Sequence, residues 1–116
     1  MKYRFNEEFA RKNSNEIWDL IIVLLKTLKP NQIPSISEKK IYDIVTTNEK
    51  SIGFMGKDRN GQKEEIVFKK DFISLLDVLQ KQSCFSTSSI KDYISGPIYK
   101  KRSPSFAILK FLQIIE

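Results

Sequence analysis

Histidine is absent from this chain, cysteine occurs once, and glycine and proline occur four times each in 116 residues. Without histidine there is no imidazole to act as a general base near neutral pH, no neutral nitrogen ligand for a metal, and no partner for a Ser–His or Cys–His pair. Ordinary hydrolase triads are therefore excluded. The lone Cys84 rules out an intrachain disulfide and a Cys-based zinc site, and it fits a reducing cytoplasm better than a secreted setting. The glycines, Gly53, Gly56, Gly61 and Gly96, match neither GxGxxG nor GxxxxGK(S/T), so no loop carries the pattern that cradles nucleotide phosphates. Long apolar runs are missing too. The longest, Leu20 to Leu25, is closed by Asp19 and Lys26 and is far shorter than the roughly 20 residues of a membrane span. At the N-terminus Lys2, Arg4, Glu7 and Glu8 mix both signs, unlike a signal peptide. A soluble cytoplasmic protein with no membrane association, no metal and no cofactor is expected.

What remains is a composition of 41% hydrophobic and 29% charged residues, enough apolar material for one folded domain spanning residues 1–116. Residues 1–13 are polar apart from Tyr3, Phe5 and Phe9 and read as an N-terminal arm or short helix. From Ser14, apolar residues at Ile17, Leu20, Ile21, Leu24, Leu25 and Leu28 recur at helical spacing, widened by Trp18, Ile22 and Val23, and predict a core helix over 14–28. Lys29 and Pro30 end it, and 31–37 read as an irregular connection. Three β-rich segments follow, 40–47, 51–57 and 62–68, the last two joined through Asn60-Gly61, a strong hairpin signal. On the third, alternation suggests that Ile66 and Phe68 face the core while Lys63, Glu65 and Val67 face water. Phe72, Leu75, Leu76 and Leu79 then predict a helix capped by Asp71, Ser86 to Ile94 a short helix stopped by Gly96-Pro97, and Pro104 to about Ile115 a final helix with Ser103 as N-cap. Trp18, Phe72, Phe106 and Phe111 are expected in the core. The fold class is α+β, a small antiparallel three-stranded sheet packed against three to four helices, with the hairpin ahead of the helices as in a winged-helix variant.

Charge points to a partner. Twenty Lys and Arg against fourteen Asp and Glu give +6, and the excess is densest in residues 91–116, with five bases and two acids. There Lys100, Lys101 and Arg102 run into the expected helix start, where cations oppose the helix dipole unless an anion sits between them. Phosphate, held also by the hydroxyls of Ser103 and Ser105, is the natural anion. Lys57, Arg59 and Lys63 at the hairpin tip, and Lys69 and Lys70 before the middle helix, extend the basic set. Together these residues predict non-catalytic binding of double-stranded DNA, in preference to RNA, through phosphates; Tyr93 and Tyr99 are positioned to stack on bases or sugars or to rim the core. Exposed apolar surface at Trp18, Tyr42 or Phe106 would instead mark a protein–protein module such as a small immunity, inhibitor or adaptor protein. Glu38-Lys39-Lys40 has the Glu-x-Lys spacing of metal-dependent nucleases, but the only upstream acids lie at 7, 8, 16 and 19, off any expected strand, so a solvated turn is the simpler reading. Asp58, Glu64 and Glu65, interleaved with Lys57, Arg59 and Lys63, read as a salt-bridged hairpin. No enzyme is expected.

From about residue 40 onward, strands, a Leu-rich helix, a short second helix and the closure Arg102-Ser103-Pro104-Ser105-Phe106-Ala107-Ile108-Leu109 resemble small C-terminal modules attached to bacterial restriction and phage-defence proteins. The resemblance implies a DNA-binding or substrate-reading accessory domain whose nuclease or helicase lies elsewhere; residues 1–30 fall outside it.

Overall fold

The computed structural model describes residues 2–29, 32–56, 61 and 63–116. Helix formation begins where the side chains can satisfy the opening amides. Asn13 accepts from the Glu16 amide at 2.9 Å and donates to the Glu16 carboxylate at 2.8 Å, a reciprocal cap that starts α2, Ser14–Leu28, after the single turn of α1, Glu7–Ala10. Helix α2 ends at Lys29, which takes φ 48° and donates to the Leu25 carbonyl at 3.0 Å. Ile17, Trp18, Ile21, Ile22 and Leu25 are buried along one face, as the spacing predicts.

The sheet has four antiparallel strands, not three, in the order β1-β2-β3-β4: Gln32–Pro34, Ile41–Asn48, Ser51–Gly56 and Glu65–Phe68. Strand β1 occupies part of the expected irregular connection. Only Ile33 of its three residues is buried, opposite Tyr42, and Pro34 ends the pairing, so it leaves no alternating pattern to read. Helix α2 covers the sheet at β2, α3 (Lys69–Gln80) at β4 and α4 (Arg102–Phe111) at β1. The inner face of the sheet is built from Ile33, Tyr42, Ile52, Phe54 and Val67.

The expected facing of the last strand is reversed. Val67 pairs with Ile52 and both are buried, whereas Ile66 and Phe68 point away from the core and are exposed. A strand has period two, so its faces are assigned only when the partner's inward residue is known, and an error of one position flips every side chain. The outer face has a tight spot at Gly53, where a Cβ would stand 2.7 Å from the Glu64 carboxylate that accepts from the Thr46 hydroxyl.

Three further boundaries differ. Helix α3 starts at Lys69 with Phe68 as N-cap, so Asp71 lies inside its first turn. Residues 91–93 form a single 3-10 turn, and Gly96-Pro97 opens a 3-10 helix, Gly96–Lys101, instead of ending one. Helix α4 stops at Phe111, which is 38% exposed, while Trp18, Phe72 and Phe106 are fully buried.

Beyond α4 the chain turns at Gln113 (φ 59°) and zips to the N-terminal segment. Tyr3 exchanges amide–carbonyl bonds with Phe85 at 2.7 and 2.8 Å, and Arg4 exchanges them with Glu116 at 2.9 and 2.8 Å. Tyr3, Phe85 and Phe106 pack edge to face behind these bridges. Trp18 ties the other side: its ring lies 5.5 Å from that of Phe72 and its indole N–H donates to the Glu49 carbonyl at 2.9 Å.

Replacing Trp18→Phe removes that bond and leaves a small void, and a loss of about 1–3 kcal/mol is expected in urea unfolding; an unchanged midpoint would show that the indole is not a tie. Burial raises the Tyr3 phenol above its ordinary value of 10.0. The folded state thus holds the proton more tightly than the unfolded chain. Its contribution is complete below about pH 10 and is lost as pH climbs from there through the folded-state pKa. Tyr3→Phe should remove this component, giving a shallower decline in melting temperature above pH 10 than the native protein shows.

Candidate nucleic-acid interface

The basic triplet near the C-terminus does not form the phosphate cradle expected of it. Gly96 adopts φ 74°, the left-handed value that lets the chain enter the 3-10 helix, which then runs into α4 without a break. Ser103 is accordingly the second residue of α4 and not its N-cap. Arg102 is turned back onto the protein. Its Nε donates to the Tyr99 carbonyl at 2.7 Å, its Nη1 to the Thr87 carbonyl at 2.9 Å, and its guanidinium lies 4.3 Å from the centre of the Tyr99 ring. Ser105 is 1% exposed, with its hydroxyl sealed in the core and unpartnered. Burial keeps Ser105 from a ligand, Arg102 is half-buried with Nε and Nη1 engaged by carbonyls, and one face of Tyr99 is occupied; Lys100, Ser103 and Tyr93 are exposed and Lys101 half-buried.

A second basic grouping is better formed. Asn48 closes the β2–β3 turn by accepting from the amides of Lys50 and Ser51 at 2.9 and 3.0 Å. The Lys69 amide donates to the Lys50 carbonyl at 2.8 Å, which sets this turn against the start of α3. The result is an open groove of about 360 Å³ lined by Lys50, Phe68, Lys69, Lys70 and Ile73. Among the described residues no carboxylate lines it, although Glu49 and Asp71 adjoin Lys50 and Lys70 in the chain. Lys69 and Lys70 were expected here, whereas Lys50 and Phe68 escaped the sequence reading. The signal for Lys50 was the Asn48-Glu49-Lys50-Ser51 turn, and for Phe68 it was the register of β4, which sequence alone does not supply.

The 3-10 helix Gly96–Lys101 packs against both β4 and α3, so the C-terminal lysines and the groove belong to touching elements. Lys63 is exposed before β4. Lys57 and Arg59, the rest of the expected hairpin cluster, lie outside the described residues, as does Asp58. The expected Asn60-Gly61 turn also lies outside them, apart from Gly61 itself, which has φ 63°. Glu38 sits at φ 63° in the turn between β1 and β2, off any strand, so the Glu-x-Lys spacing does not fall where a nuclease would carry it. Among the described residues no three metal-ligating side chains cluster, and no helix is long and apolar enough to cross a membrane. Trp18, Tyr42 and Phe106, the residues that were to mark a protein partner if exposed, are all buried.

No protein-family model matches the chain, and no curated protein or solved structure was found to be similar to it.

Arg102→Ala is expected to lower stability by about 1–3 kcal/mol, because charge-assisted bonds to two carbonyls are lost, with Arg102→Lys restoring little of it. Lys100→Ala/Lys101→Ala should cost less. Thermal melting of the three variants checks this, and an Arg102→Ala protein as stable as the native one would return the side chain to the ligand-binding set.

Proposed function

We propose that the protein is a non-catalytic DNA-binding domain that holds a duplex through its backbone phosphates, with Lys50, Lys69 and Lys70 as the principal contacts. The observation that carries this reading is the groove itself: three lysines from a turn and from a helix start, their backbones joined by the Lys69–Lys50 bond, border an apolar wall, and no acid is among its described lining residues. The opening dipole of α3 adds to the attraction for an anion. Lys100 and Lys101 on the adjoining 3-10 helix extend the basic surface, and Lys63, with Lys57 and Arg59 on the β3–β4 connection, would act as the wing of a winged-helix-like arrangement. A role as an accessory module in restriction or phage defence belongs to the same proposal and rests on the resemblance of the C-terminal closure. A cytoplasmic setting belongs to it too, since Cys84 is an exposed thiol with no disulfide partner.

A protein partner is the second reading, and one observation favours it. The strands of the sheet expose Ile41, Val45, Ile66 and Phe68.

Titration of a fluorescent 20-base-pair duplex at two salt concentrations separates the two. Lys50→Ala/Lys69→Ala/Lys70→Ala should weaken binding for every duplex sequence and flatten the log–log salt slope by about 2–3 units. An unchanged slope would remove the groove from the interface; no binding by the native protein at low salt would leave the apolar sheet face as the better-supported surface.

A further inference from the structure

Phe68 is the odd member of the groove. It is the last residue of β4 and the N-cap of α3, it is 51% exposed, Lys69 and Lys70 follow it in the chain, and Lys50 lines the same groove. Phosphate contacts account for the lysines and not for the ring, which also belongs to the exposed apolar surface of the sheet. We infer that Phe68 stacks against an unpaired base, so that the preferred ligand is DNA carrying a single-stranded extension. This rests on the phosphate-binding reading above.

The backbone around the ring is held by strand pairing and a hydrogen bond. Ser51 pairs with Phe68 in the ladder and contributes only a small side chain beside it, while the Lys69–Lys50 bond clamps the end of the strand to the turn. Ile73, about one turn along α3, closes the apolar wall. Inside a closed duplex every base face is covered by its neighbours, and nothing can lie on the ring. An unpaired nucleotide offers a base face for Phe68 and phosphates on either side for Lys50, Lys69 and Lys70. Base–aromatic stacking flanked by cations is how single-stranded nucleic acid is held without reading its sequence. The described residues make the lining apolar, with lysine stems beside the ring, and a nucleic acid supplies both a flat π surface for that wall and phosphates for the lysine ends.

Three probes test this: a duplex closed at both ends by hexaethylene glycol linkers that carry no bases, an open duplex with a six-nucleotide thymidine extension, and the same extension with abasic residues. The native protein should bind the thymidine extension roughly 5- to 100-fold more tightly than its abasic counterpart. Phe68→Ala and Phe68→Leu should abolish that preference, and Phe68→Tyr should retain it; the Leu variant keeps an apolar side chain at the groove, and thermal melting verifies that each variant is folded. Equal affinity for the thymidine and abasic extensions, or a preference that survives Phe68→Leu, overturns the inference. If the closed duplex is still bound in that case, the phosphate reading stands alone. If no probe is bound at low salt, both fall.

Discussion

The indole of Trp18 is the point on which the arrangement depends. Sited on α2, it packs against Phe72 of α3 and donates to the Glu49 carbonyl in the β2–β3 turn, so that a single side chain joins two helices to the sheet. A buried indole N–H without an acceptor would be costly, and the turn carbonyl satisfies it. That requirement fixes the height of the turn relative to α2. The Lys69–Lys50 bond then fixes the same turn against the start of α3. Lys50, Lys69 and Lys70 line one groove because the core residue beneath them admits little freedom in how these three elements meet.

The opposite end of the molecule uses its charge differently. Arginine presents a planar fork suited to two carbonyls at once, and Arg102 spends it on Thr87 and Tyr99, joining α4 to the segment before it. Lysine has no such fork and remains at the surface as a point charge. The densest basic run in the chain is thus partly a structural device, and the groove opened by the β2–β3 turn holds cations with no comparable internal duty. Ser105 makes a related point, since a hydroxyl that looks like a phosphate ligand in sequence is buried with the core residues of α4.

Helices α2 and α3 were legible from apolar spacing, because a helix that buries one face must repeat its apolar residues about every three to four positions whatever it packs against. The antiparallel pairing of β2, β3 and β4 was legible from strand-forming segments separated by turn residues. Strand β1 was not, since three residues with a terminal proline carry no periodic signal, and it forms because β2 offers a ladder edge. The candidate site was half legible: Lys69 and Lys70 stood out beside an apolar helix, Lys50 did not, and Phe68 was assigned to the wrong side.

By itself the sequence determined the absence of imidazole chemistry, the lack of a nucleotide loop, the α+β content and the basic balance, all of which follow from residue type and local spacing. Only the tertiary structure decided which cations face outward, which face of β4 meets the core, and that Phe68 lies open between lysines. Those outcomes depend on partners distant in sequence, Ile52 for Val67, Thr87 for Arg102 and Lys50 for Lys69, and local patterns carry no information about which distant group will be there.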